Sequence, residues 1–316
     1  MSDSYPPITI GTRGSALALW QANWVKAQLE REYPGIEVGL KIIKTKGDKI
    51  LDVPLAQVGG KGLFVKEIED ALLAGEIDLA VHSMKDVPTE LPEGLQVKII
   101  PPREDPRDAF FSWNNTKLAE MKPGSVIGTS SLRRKAQLLN AFPDLEIKDL
   151  RGNVDTRLKK LDRGDYDGII LAAAGVKRLG WAGRITEYLD PAVSLPAIAQ
   201  GALGIETRIA DRFNNRRLDF FHDEKTALAV RAERALLKTL EGGCQVPIAA
   251  YATVDEENRI TITGLVAALD GREILKETIS GSLPEELGQT LARLLLRNGA
   301  DQLLAECYAA NPLTTP

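Results

Sequence analysis

What most constrains this chain is a local plan written twice. Ile8-Thr9-Ile10 runs into Gly11-Thr12-Arg13-Gly14-Ser15, and Val126-Ile127 runs into Gly128-Thr129-Ser130-Ser131. In each, a short apolar strand meets a Gly-Thr turn and a serine placed to cap a helix. Free backbone N–H groups and the positive end of the helix dipole make such a start an anion site. A second echo follows each start: Gly75-Glu76-Ile77-Asp78-Leu79-Ala80 is matched by Gly164-Asp165-Tyr166-Asp167-Gly168-Ile169-Ile170-Leu171-Ala172. Two α/β lobes built alike are expected, with a ligand held in a cleft between them.

The rest of the chain fits around that pair. In the first helix, Leu17, Trp20, Trp24 and Ala27 recur at three- and four-residue spacing and are expected on the buried face. After a second strand (38–43), Gly59-Gly60-Lys61-Gly62 opens a helix that carries Leu63, Phe64, Ile68 and Leu72 inward and ends at Gly75. The strand 77–81 then delivers His82-Ser83-Met84-Lys85-Asp86-Val87-Pro88, polar residues at the carboxyl end of a strand, where open α/β sheets bind ligands. Pro101 to Asp108, with three prolines and dense charge, reads as an inter-lobe crossing, and the small-residue stretch 194–205 as the return that completes the first lobe.

A long helix (223–240), with Leu228, Ala232, Ala235 and Leu236 inward, leads to Glu241-Gly242-Gly243-Cys244-Gln245-Val246-Pro247. Two glycines and a proline make this a presentation loop for the Cys244 thiol; the plainer alternative is a helix stop beside a small buried hydrophobe. Strands at 248–254, 260–267 and 273–279 and a helix pair covering 284–308 complete a small α+β part. The expected divisions are 1–101 with 202–219, 107–195, and 223–316.

Composition narrows the chemistry. Two cysteines, Cys244 and Cys307, and two histidines argue against a disulfide or a metal cluster as the framework of this chain, so no metal is expected. A net charge of −4 and 5% aromatic residues argue against nucleic acid as a partner. No apolar run reaches membrane length and no signal-peptide pattern opens the chain, so a cytoplasmic protein is expected, or a plastid one if a transit peptide has been removed. Against the negative balance, the second lobe gathers Arg133, Arg134, Arg151, Arg157 and Lys177-Arg178 at turns and helix starts. Bidentate guanidinium groups suit a ligand with several carboxylates, or a polyphosphate.

These motifs, with Arg103-Glu104-Asp105-Pro106-Arg107-Asp108 and Leu150-Arg151-Gly152-Asn153, resemble the porphobilinogen deaminase (hydroxymethylbilane synthase) family in order and over nearly the whole chain. The resemblance implies a transferase with two lobes like those of periplasmic binding proteins, a cleft between them and a small C-terminal α+β domain. It implies head-to-tail condensation of four porphobilinogen molecules into hydroxymethylbilane with loss of ammonia, in tetrapyrrole and haem biosynthesis, by a monomer. It also implies a dipyrromethane cofactor joined by a thioether to Cys244. By the same resemblance Asp86 is the catalytic carboxylate. Arg13, Ser15, Lys85, Ser131, Arg133, Arg134, Arg151, Arg157 and Arg178 bind cofactor or substrate carboxylates, Gln200 lies in the hinge stretch, and Lys61 sits on a loop over the cleft. Gln57 stands where many relatives have lysine and is left out of the site. Two other classes would use parts of this pattern: a non-catalytic two-lobe oxyanion-binding protein, and a cysteine hydrolase pairing Cys244 with His82.

Overall fold

The structure is a computed structural model that describes residues 5–49, 65–241 and 246–310. Strand β1 (Ile8–Thr12) passes through its turn to Ser15, whose Oγ accepts the Ala18 N–H at 3.3 Å and caps helix α1 (Ala16–Glu32). Strand β2 (Val38–Ile42) follows, and helix α2 (Lys66–Leu73) ends where Gly75 turns left-handed at φ +71°. Strand β3 (Leu79–Ser83) runs two residues later than expected, so His82 and Ser83 belong to the strand and Met84–Asp86 form one 3-10 turn beyond it. Strand β4 (Leu95–Ile99) precedes the proline-rich crossing.

The face of α1 is a correction. Gln21, Ala22, Val25 and Leu29 are buried, whereas Trp20 and Ala27 are exposed and Leu17 and Trp24 only half-buried. Both sets obey helical spacing, because apolar residues run most of the way round this helix. The sheet takes the smaller face, against Ile8, Ile10 and Val38, and Trp24 instead packs on Phe221 with ring centroids 5.7 Å apart.

In the second repeat, strand β5 (Asp108–Ser112) precedes β6 (Val126–Gly128), and Ser131 caps helix α3 (Leu132–Ala141), its Oγ accepting the Arg134 N–H at 3.4 Å. Strand β7 (Glu146–Lys148), helix α4 (Val154–Asp162), strand β8 (Gly168–Ala172), helix α5 (Ala173–Arg178) and strand β9 (Glu187–Tyr188) complete it. The sheet order is β7-β6-β8-β5-β9, with β6 parallel to β7 and β8 and β5 antiparallel to β8 and β9. Period-two alternation splits its core: Phe110 and Ile170 point to one face, Phe111, Ile169 and Leu171 to the other.

Strand β10 (Leu203–Arg208) completes the first sheet, in the order β2-β1-β3-β10-β4 and antiparallel to both β3 and β4. Leu79, Val81 and Ile205 meet Ala22, Val25 and Leu29 of α1, while Ala80 meets Ile68, Ala71 and Leu72 of α2. Helix α6 (Glu224–Thr239), the antiparallel strands β11 (Ile248–Val254), β12 (Ile260–Ala267) and β13 (Ile274–Gly281), and helices α7 (Pro284–Leu295) and α8 (Asp301–Ala310) form the last part. Among the described residues, 5–49, 65–103 and 202–227 cluster as one unit, and 104–201 with 228–310 as another. No helix among them is long and apolar enough to cross a membrane.

Candidate active site

In the first unit, both motifs that the sequence singled out line one pocket of about 70 Å³: Arg13 and Ser15 from the β1–α1 turn, and His82, Ser83 and Asp86 from the end of β3. Parallel pairing of β1 with β3 is the cause, since it sets two strand ends side by side. Gln21 joins them from α1, its amide donating to Ser83 Oγ at 2.9 Å. The Asp86 carboxylate is exposed and makes no hydrogen bond or ion pair among the described residues, so it is available to a ligand. Lys85 beside it is also exposed. Arg13 donates through Nε to Asp48 Oδ1 at 3.1 Å. Burial opposes ionisation of Asp48, yet the hydrogen bonds from Arg13 and Thr45 hold its carboxyl below the usual carboxylate range.

The second unit arranges its charge differently. Asp108, expected in the inter-lobe crossing, opens β5 and is fully buried. Arg133 donates to Asp108 Oδ2 at 2.8 Å and to the Leu195 carbonyl at 2.6 Å, and Arg134 reaches Asp108 Oδ1 through Nε at 3.0 Å and Nη2 at 2.7 Å. Ser194 Oγ at 2.8 Å and Gln200 Nε2 at 2.9 Å donate to the same carboxylate. Burial works against a charged Asp108, but the two guanidinium groups hold its pKa far below the carboxylate range. One carboxylate between two guanidinium groups leaves a surplus positive charge beside the α3 start that Ser131 caps.

Three more anticipated arginines lie in this unit. Arg178 is buried, donates to the Gly201 carbonyl at 2.7 Å, and is pushed down to about 10 by burial, with Glu104 opposing. Arg157 Nε donates to the Gly152 carbonyl at 2.7 Å, and Arg151 Nε is buried without any hydrogen-bond partner among the described residues. Gly201 adopts φ +90°, and a Cβ there would sit 2.3 Å from the Glu104 carbonyl oxygen, so this turn beside Gln200 admits only glycine.

Cys244, Lys61 and Gln57 lie outside the described residues. Cys307 is a buried free thiol that burial pushes up to about 11, which suits packing and not nucleophilic work. Sequence reasoning missed Asp108 as a hub. It also missed Glu233, fully buried on α6, whose carboxylate accepts the Ala199 N–H at 2.6 Å and the Ala252 N–H at 2.8 Å. The usable signal for Asp108 was its place directly before the apolar run Ala109-Phe110-Phe111.

The family model described as "Porphobilinogen deaminase, dipyromethane cofactor binding domain" matches residues 8–215, and "Porphobilinogen deaminase, C-terminal domain" matches residues 227–297. The chain belongs to the porphobilinogen deaminase family. Porphobilinogen deaminase of Geobacter sulfurreducens is 60% identical over 303 residues, covering 95% of each chain. Porphobilinogen deaminase of Pelobacter propionicus is 58% identical over 307 residues, 96% of this chain and 98% of that one. Among solved structures, the periplasmic aliphatic sulphonate binding protein of Escherichia coli overlaps 75% of this chain and 71% of its own at a TM-score of 0.39 and 16% identity. The porphobilinogen deaminase assignment rests on the sequence matches. The longer family match encloses both the Asp86 pocket and the Asp108 cluster.

Proposed function

We propose that the protein joins four porphobilinogen molecules head to tail into hydroxymethylbilane, releasing one ammonia per unit, with Asp86 as the catalytic carboxylate. The observation that carries this reading is the family match over both parts of the chain, together with an Asp86 carboxylate that has no partner among the described residues, in a pocket shared with Arg13 and Ser15. Loss of ammonia leaves an electron-poor azafulvene cation. A carboxylate beside the pyrrole N–H groups stabilises that charge as it develops and holds the ring in place. Arg13, Ser15 and Lys85 bind the ring's acetate and propionate groups in this unit, while Ser131, Arg133, Arg134, Arg151, Arg157 and Arg178 bind cofactor or substrate carboxylates in the other, and Lys61 and Gln200 act as loop and hinge residues.

The residues present fit a polycarboxylate cofactor such as dipyrromethane: the Asp108 cluster carries surplus positive charge, and Arg151 Nε is a buried donor with no acceptor among the described residues. When bound through Cys244, that group supplies the nucleophilic pyrrole carbon on which the chain starts. The divisions 1–101 with 202–219, 107–195 and 223–316 are read as its domains, and the protein as a cytoplasmic monomer that uses no nucleic acid. The test is intact-mass analysis of the purified protein. A stable adduct mapping to Cys244 is expected, and a fully active enzyme without one overturns the reading. A two-lobe binding protein would carry no such adduct.

A further inference from the structure

Behind the Asp86 pocket lies a buried group of three titratable side chains that the proposed chemistry does not yet use. His82 on β3 stands opposite Gly204 on β10, and Ala80 opposite Glu206, so His82 and Glu206 share one face of the sheet as diagonal neighbours. That is the face α2 covers, through Ile68, Ala71 and Leu72 packed on Ala80. On the buried side of the same helix sits Glu69. All three residues are more than nine-tenths buried, with His82 and Glu69 each 6% exposed and Glu206 1%.

The hydrogen bonds give the group a direction. His82 Nε2 lies 2.8 Å from Glu206 Oε2. Glu206 Oε1 and Glu69 Oε1 are buried with no donor among the described residues. His82 also lines the pocket, and its Nδ1 makes no hydrogen bond among the described residues. Two ionised carboxylates in this apolar layer with a neutral imidazole would leave two buried negative charges, which is prohibitive. Burial first, then the Glu206 charge, push Glu69 up to about 7, with His82 opposing. A neutral Glu69 leaves the Glu206 carboxylate to balance an imidazolium. The other charges around the group are Lys66 and Asp70 on α2, Arg208 on β10, which donates to the Leu72 carbonyl at 2.8 Å, and Arg13 and Asp86 across the pocket.

We propose that His82 is a catalytic proton acceptor of this pocket, with Glu206 positioning it and balancing its charge and Glu69 limiting the buried negative charge behind it. The inference rests on the condensation reaction proposed above. When the new carbon–carbon bond forms, the attacking pyrrole carbon still carries its hydrogen. His82 Nδ1 takes that proton, the C–H electron pair returns to the ring, and the imidazolium is matched by the Glu206 carboxylate through Nε2–H. The proton then passes to the ammonia lost in the same cycle, which leaves as ammonium, so no outside acid or base is consumed. Asp86 keeps its separate task of stabilising the cation.

The test follows the His82 ring by heteronuclear NMR titration in the holoenzyme, with His222→Gln assigning the second histidine, and follows kcat against pH. Removing the carboxylate in Glu206→Gln takes away the charge that matches the imidazolium, so the His82 ring should titrate at lower pH in the variant than in the parent. The acidic limb of the kcat profile should move with it. His82→Gln should lower kcat about 100-fold, as loss of a general base does, with KM changed by less than about threefold and the Cys244 adduct retained. A kcat within about twofold of the parent overturns the proposal. So does a Glu206→Gln protein whose His82 midpoint moves while the kcat limb stays still, and this second variant decides the matter if His82→Gln does not fold. Parent protein that makes no hydroxymethylbilane overturns the proposed function itself; active parent with an unaffected His82→Gln overturns only the role of His82.

Discussion

The two strand–turn–helix starts share a backbone plan and treat their charges in opposite ways. At the first, Arg13 stays partly exposed on Asp48, and the Asp86 carboxylate nearby is exposed with no partner among the described residues. At the second, Arg133 and Arg134 are withdrawn into the protein around Asp108. The buried acids diverge as well: Asp108, between two guanidinium groups, is held ionised, whereas Glu69 is pushed up to about 7 by burial and then by the Glu206 charge. The lesson is that a capped turn builds an anion-accepting geometry locally, and burial then decides whether its cations meet a ligand directly or form a fixed positive background.

The largest test of that contrast is Asp108→Asn. It leaves two buried guanidinium groups without their counter-charge, and a loss of about 3–5 kcal/mol in urea unfolding is expected. A loss below about 1 kcal/mol would mean that the arginines do not depend on Asp108. Next, Asp86→Asn should leave folding and the Cys244 adduct unchanged while kcat falls on the order of 100- to 1,000-fold, as with the removal of one transition-state stabiliser. Near-normal turnover would take the catalytic role from this carboxylate.

Glu69→Gln probes the opposite titration. Because the folded-state pKa of Glu69 is raised, from about 4.5 to about 7, its burial costs nothing well below 4.5. The cost grows as the pH rises through that window and is complete above it. The variant should therefore gain on the order of 2 kcal/mol over the parent at pH 8 relative to pH 5, read from denaturant midpoints at the two pH values. A gain independent of pH would show that Glu69 ionises normally. Ser15→Ala and Ser131→Ala should each cost about 1 kcal/mol, and near-equality of the two losses is what a shared local plan requires. Smallest of all, Asp48→Asn should cost less than about 1 kcal/mol, since its pair with Arg13 is partly solvated.

Much of the fold was readable from local chemistry. The caps at Ser15 and Ser131, the left-handed Gly75, and strands β11 and β12 fall where turn residues and period-two patterning put them. The inward side of α1 was not readable, because apolar residues surround that helix and only the sheet beneath it chooses among them. Nor was the end of β3. Its last two residues are polar, and they remain in the strand because β10 hydrogen-bonds alongside, with Ser83 opposite Leu203 and His82 opposite Gly204.

The candidate site divides along the same line. The sequence by itself determined the residue types: a carboxylate at the end of β3, arginines at turns and helix starts, a cysteine between two glycines and a proline, and through them the family. Tertiary structure alone decided that Arg133 and Arg134 share one buried acid, and that His82 meets Glu206, 124 residues away in the chain. The physical reason is range. Capping, turn geometry and strand patterning act within a few residues, whereas burial and charge pairing depend on which strands become neighbours, and β10 reaches its place between β3 and β4 only after the whole second repeat has been threaded.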